Sequence, residues 1–232
     1  MSEAFEKVNG IRHLPLFPLP LVLLPNEVLP LHIFEPRYRQ LFADIEKERN
    51  LFGVVTVNTE SPGIDKPARG SIGCVAEVRE TEALPDGRSN IVSIGVIRFR
   101  LLGYVETGEP YFVGDVEFFE DEAEDESVLQ PLADEVFELF ERVAKAAFQI
   151  SGSRGRFPEI PRTTPELLSF LITAAFNLEN EMKYAMLEMT QASLRLEKLR
   201  EILQQAVTKM EESADIHEIS RTNGHARKDI GL

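Results

Sequence analysis

The sequence predicts an α+β protein: an antiparallel β-barrel with one early helix, followed by a C-terminal helical bundle. Two observations carry this. Between Leu51 and Phe119, short apolar runs recur at hairpin spacing between Gly- and Pro-containing turns. That spacing suits a small closed or nearly closed barrel better than a βαβ sheet. From Ser127 onward the apolar period becomes helical. A third feature organises the start of the chain. Leu14 to Tyr38 is almost wholly apolar up to Phe34, yet it holds Pro15, Pro18, Pro20, Pro25 and Pro30. Prolines so placed break any membrane helix, and the Leu, Phe, Val and Ile between them do not suit a solvated linker. The stretch therefore reads as buried and extended.

Residues 1–10 are polar and unpatterned and read as a loose terminus. Leu14 to Phe17 reads as a short edge strand, where proline is tolerated, and Val28 to Phe34 as a second strand. A helix starts at Glu35-Pro36, with proline at its first position and Glu35 and Arg37 as cap and local ion pair. Tyr38, Leu41, Phe42 and Ile45 form its buried stripe, and it is expected to run to about Arg49. Leu51 to Val57 is apolar on both faces, as an interior strand is. Residues 58–70 hold Pro62-Gly63, Pro67 and Gly70 and read as a loop.

Ile72, Cys74, Ala76 and Val78 alternate along the next strand. Leu84-Pro85-Asp86-Gly87-Arg88 is a hairpin turn, with Pro presetting a negative φ and Gly taking the left-handed position. Return strands are expected at Ser89 to Val96, Ile97 to Val105 and Tyr111 to Phe119. The acidic run Glu117 to Glu126 reads as a solvated hinge. Beyond it, Leu129, Leu132, Val136, Leu139, Phe140, Val143 and Ala147 share one helix face, with Ser127 and Gln130 as a capping box. Residues 151–155 read as a flexible loop. Thr164-Pro165 starts an apolar, central helix, and Leu178-Glu179-Asn180 breaks it. A last helix runs to about Met210. Met189, Leu196, Leu203 and Met210 make one seven-residue seam, and Ala192, Leu199 and Ala206 a second. The expected division is a barrel over 11–119, a helical bundle over 126–210, and a polar, partly disordered tail over 211–232.

The runs LPLFPL (Leu14 to Leu19) and PLHIFEPRY (Pro30 to Tyr38) carry a family resemblance. The chain resembles the N-terminal substrate-recognition (LON) domain of ATP-dependent Lon proteases. The Pro-Asp-Gly-Arg turn and the Ile-Arg-Phe-Arg strand are similar to further signatures of that family. Met186-Leu187-Glu188 and Arg195 to Leu199 match it more loosely. The resemblance implies a PUA-like barrel and a role in holding unfolded or degron-bearing polypeptides, as an adaptor in protein quality control. A separate ATP-dependent protease or chaperone is the further partner it suggests.

Composition narrows the alternatives. The net charge is −14 over 232 residues, which disfavours sequence-independent binding to nucleic acid and to anionic membranes. The N-terminus has no signal-peptide pattern, and no apolar run is long enough to span a bilayer, so a cytoplasmic protein is expected. The single cysteine, Cys74, forms no intramolecular disulfide and reads as a small core residue. His32 is the one histidine of interest, as a packed, hydrogen-bonded strand residue. No phosphate-binding loop and no nucleophile elbow is present, and Pro85 to Ser89 does not continue into a Lon-type nucleophile motif. No catalytic residue, cofactor or metal ligand is therefore expected, and the protein is not expected to be an enzyme.

Met182, Met186 and Met189 form a ridge at helical spacing and are the peptide-binding candidates, against ordinary core packing. An RNA-binding module remains as an alternative, through a patch of Arg88, Arg98 and Arg100. A small-molecule-binding PUA-like module is the other.

Overall fold

A computed structural model describes residues 2–57, 66–151, 157, 159–176 and 178–223, with side chains to Lys209. Residues 58–65 of the loop expected at 58–70, residues 152–155 of the loop expected at 151–155, the Met210 side chain and the tail from 224 lie outside the described residues. The elements are α1 (Glu3–Val8), β1 (His13–Leu19), β2 (Val28–Ile33), α2 (Pro36–Ile45), β3 (Leu51–Thr56), β4 (Ile72–Ala83), β5 (Ser89–Val105), β6 (Phe112–Phe119), α3 (Glu126–Ile150), α4 (Pro165–Ala175), α5 (Asn180–Glu188) and α6 (Ala192–Asn223). They divide into two compact units. The first holds Met1–Glu122 and Thr173–Thr190, the second Ala123–Ile172 and Gln191–Leu232.

In the first unit the strands form one six-stranded sheet in the order β2-β5-β4-β3-β1-β6, with a further pairing of β5 with β6. The sheet is mixed rather than antiparallel throughout, because β1 runs parallel to β3. The chain between them contains β2 and α2, a connection long enough for a parallel return. Nor is β1 an edge strand. Its first half, His13 to Leu16, pairs with β6, and its second half, Leu16 to Leu19, with β3. Pro15 and Pro18 thus each have only one of these ladders alongside, so the missing N–H of each is tolerated. Pro30 sits on β2, which pairs only with β5.

Each face of the sheet carries a core. Phe52, Val54, Cys74 and Ala76 point to one, with Phe17, Leu29, Ile33, Tyr38, Leu41 and Ile45 packed there. Leu51, Val55 and Val75 point to the other, with Leu14, Leu16, Phe99 and Leu101. The period-two alternation of the strands feeds both. The α2 stripe is buried as its spacing predicts, at Tyr38, Leu41 and Ile45, although the helix ends at Ile45.

Residues 3–8 are helical rather than loose. Ser2 accepts from the Phe5 N–H as N-cap, and Val8 is buried in the second core with Ala4 and Phe5 packed on it. The strands expected at 89–96 and 97–105 are one strand, β5. Gly95 lets it continue under the 24–27 turn: Asn26 N donates to Gly95 O at 2.9 Å, and Gly95 N to Glu27 O at 2.9 Å. The β4–β5 turn closes through Leu84 N to Arg88 O at 2.8 Å, with Gly87 at φ 80°.

α5 belongs to the first unit rather than to the following helices. Met186 and Leu187 are buried, and the Tyr184 hydroxyl accepts from Ile72 N at 2.9 Å. The acidic run is only partly a free hinge. Asp121 pairs with Arg98, and Glu122 N donates to Thr190 O at 2.8 Å.

In the second unit α3 packs on α6. Leu129, Val136, Phe137 and Val143 are buried from one helix, and Ala192, Leu196, Leu199, Leu203 and Val207 from the other. The N-cap of α3 is Asp125, whose Oδ1 accepts from Ser127 N at 2.9 Å, in place of the Ser127–Gln130 box. Arg195 is wholly buried, its Nε donating to Ser169 Oγ at 2.8 Å and its guanidinium 4.1 Å from the Phe170 ring centre. α6 continues past Met210 to Asn223, where Glu211, Glu212 and Ala214 are good helix formers.

Candidate functional site

β2 is read from sequence as buried, and half of it is. Leu29 and Ile33 enter the first core, and Leu31 packs on it. The alternate residues point away. Val28 is 59% exposed, Pro30 and His32 are exposed, and Phe34, just past the strand, is 60% exposed. Apolar side chains at three of these four alternate positions, with His32 between them, are unusual on the solvent face of a segment that also has a buried face.

The register extends this face across three strands. Val28 stands beside Ile94 and then Glu77, Pro30 beside Val92 and Glu80, and His32 beside Asn90 and Glu82. The result is an apolar strip of Val28, Pro30, Val92 and Ile94, with Phe34 beyond β2 and carboxylates along β4. A polar chain closes one end. Asn90 Nδ2 donates to Glu82 Oε2 at 2.9 Å, and Asn90 Oδ1 lies 2.7 Å from His32 Nδ1. Arg88 Nη1 lies 3.4 Å from His32 Nε2, and the His32 ring stacks with Phe34 at 6.1 Å. His32 is therefore hydrogen-bonded as expected, but at the surface rather than packed. The strip offers apolar area and, along β2, a strand edge with no ladder on its outer side among the described residues. Both features suit an extended or unfolded segment.

The other candidates fall elsewhere. Met186 is fully buried, Met182 and Met189 are half-buried, and Met189 lies just past α5 instead of on the α6 seam. The three do not form an exposed ridge. Arg98 is 2% exposed. Its Nη1 donates to Leu187 O at 3.0 Å and Met189 O at 2.6 Å, its Nη2 to Asp121 Oδ1 at 2.5 Å, and it lies over the Phe119 ring. Arg88 pairs with Asp86. The expected patch of Arg88, Arg98 and Arg100 is therefore not assembled on the surface, because the end of α5 covers its central member. Glu35 makes no side-chain cap bond, and its carboxylate takes Arg37 Nε at 3.0 Å.

Cys74 is buried in the core, and burial pushes its thiol up to about 12. Glu27, holding the turn through Leu24 N at 2.9 Å, is also raised by burial. Among the described residues no three His, Cys, Asp or Glu side chains converge as metal ligands, and no helix is long and apolar enough to cross a membrane. The exposed face was legible only in part. Val28 to Phe34 is apolar at both parities, which hides which half faces water.

The family model of the ATP-dependent protease La (LON) substrate-binding domain matches residues 13–205. The chain belongs to the LON substrate-binding domain family. Among curated relatives of this LON chain, the Lon protease of Parabacteroides distasonis is 30% identical over 130 residues, covering 54% of the chain and 15% of the relative. Lon protease 2 of Myxococcus xanthus is 29% identical over 202 residues, covering 82% of the chain and 23% of the relative. The chain thus spans under a quarter of either relative's length.

Among solved structures, a Lon N-terminal domain protein from Xanthomonas campestris superposes with a TM-score of 0.58 at 25% identity. The match covers 82% of this chain and 97% of that one. The N-terminal domain of the Mycobacterium avium complex Lon protease superposes with a TM-score of 0.60 at 16% identity, over 83% and 98%. The LON chain has the Lon N-terminal domain fold, a mixed α/β architecture with a six-stranded sheet and several helices. The matched region corresponds to the substrate-binding part of Lon proteases and not to their catalytic part.

Proposed function

We infer that this LON domain captures unfolded or degron-bearing polypeptides in the cytoplasm, as a non-catalytic recognition module serving protein quality control. A separate ATP-dependent protease or chaperone then acts on what it holds. Family membership supports the substrate class. The observation that carries the reading for this chain is the apolar strip of exposed Val28, Pro30 and Phe34 beside half-buried Val92 and Ile94 on β2 and β5. On the same footing, the additional β5–β6 pairing reads as closure of the sheet into a PUA-like barrel. Closure leaves β2 outside the ring, as the strand open to a partner.

Burying one exposed Val or Phe side chain stabilises a complex by about 1–2 kcal/mol, roughly tenfold in affinity. The test is fluorescence anisotropy with labelled casein, which is unfolded without denaturant. The expected result is binding that weakens by at least about tenfold in Val28→Ser/Phe34→Ser. Leu194→Ser, at a 47% exposed position in the second unit, should leave it unchanged. Equal binding by the double variant moves the site elsewhere, and no binding by the unaltered protein removes the proposal. Casein should stay intact with and without ATP; cleavage that survives purification overturns the non-catalytic reading.

A further inference from the structure

On the other face of the β4–β5 pair an open pocket of about 280 Å³ lies between α2 and the hairpin. Arg39, Glu46, Asn50, Arg79, Thr81 and Ser89 line it, so one carboxylate faces two guanidinium groups there. Among the described residues Arg39 is in no ion pair. The side chains of Asn50, Thr81 and Ser89 likewise make no hydrogen bond to protein among the described residues. Arg79 is already paired, with Glu77 at 3.0 Å.

The Arg39 guanidinium lies against the turn at Gly87. A Cβ built on Gly87 would lie 2.3 Å from Arg39 Nη2, so a side chain there would displace the guanidinium from this position. Gly87 also has φ 80°, which independently favours glycine. A guanidinium, two hydroxyls and an amide that line one cavity and have no protein acceptor among the described residues match the oxygens of a small anion.

We propose that this pocket binds an oxyanion, a carboxylate or phosphate group, with Arg39 as its charged partner and Thr81, Ser89 and Asn50 as neutral donors. Arg79 adds a second, shared cation at the rim. The site is separate from the Val28–Ile94 strip, so it stands or falls independently of polypeptide capture there. The oxyanion could be the C-terminal carboxylate of a polypeptide or a free phosphate, and the two are separated by experiment.

Amide chemical shifts of the full chain are followed by NMR during titration with inorganic phosphate. The titration is repeated with acetyl-tetraalanine carrying a free C-terminus, and with the same peptide amidated. Saturable shifts at Gly87, Ser89 and Thr81 are expected for at least one of the first two probes and not for the amide. A response to the free-acid peptide assigns a chain end, and a response to phosphate alone assigns a phosphorylated small molecule or free phosphate. Loss of a charge-assisted hydrogen bond should cost Arg39→Gln roughly tenfold or more in affinity, with Arg39→Lys between the two. Arg39 is exposed on α2, and an unchanged spectrum away from the pocket shows that the variant is folded. The proposal is overturned if neither anion shifts these amides, if the amidated peptide shifts them equally, or if Arg39→Gln binds as tightly as the unaltered protein.

Discussion

Arg98 shows how one residue can follow its local rule and still end up where that rule does not point. The alternation of Ile97, Phe99 and Leu101 with Arg98 and Arg100 does send Arg98 away from the apolar core those three share. What local sequence does not carry is that α5, some 90 residues later, ends over that position, so its carbonyls at Leu187 and Met189 take the guanidinium. A buried cation with several partners contributes more by being satisfied than by its charge alone. Removing one member of a buried pair costs about 3–5 kcal/mol, because the remaining charge and carbonyls lose their partners. Arg98→Ala is expected to lose stability on that order in urea denaturation, with faster hydrogen exchange through Met186 and Leu187. Arg98→Lys keeps the charge but not the fork, and should recover only part of the loss. Cys74 was legible from its apolar alternation. The methionines were not, since a three- and four-residue spacing describes a core-facing stripe as well as a ridge.

The turn from Leu24 to Glu27 and the middle of β5 act as one element. Asn26 takes the left-handed conformation at φ 64°, Glu27 fastens the turn to Leu24 N, and both ends of the Gly95 peptide bond to it. A Cβ on Gly95 would lie 2.1 Å from Leu24 O, a backbone atom that cannot rotate aside. Gly95→Ala should therefore cost about 1–3 kcal/mol or more, as overpacking does, and lower the urea midpoint with an unchanged slope. Most strands and helices were legible from period and turn chemistry. β5 looked like two strands because Gly95 reads as a break, whereas here it accommodates a neighbouring turn. The parallel β1–β3 pairing was hidden because hairpin spacing describes neighbours in sequence, and this pair is joined across β2 and α2. α1 was missed because six residues give too short a window for a period.

For the molecule as a whole, the net charge of −14 makes like-charge repulsion a general cost of compactness. Exposed pairs such as Lys145–Glu141 contribute little in return. Screening should therefore stabilise more than it weakens. The midpoint of thermal unfolding is expected to rise by roughly 2–4 °C between 20 and 200 mM sodium chloride. A fall over that range would mean that specific ion pairs, rather than net repulsion, dominate.

The order in which the first unit is assembled has a consequence during synthesis. β1 is the first of this unit's strands to be synthesised, yet one of its partners is β6, about a hundred residues later, and the unit is complete only once Thr190 has been added. At about 5–20 residues per second, Leu14, Leu16 and Phe17 wait on the order of ten seconds without their neighbours. The nascent first unit is then itself an unfolded apolar polypeptide. A chain stalled after Ile172 still lacks the Leu187 and Met189 carbonyls that accept from Arg98, so early termination should yield an aggregation-prone product that needs chaperone protection rather than a smaller folded domain.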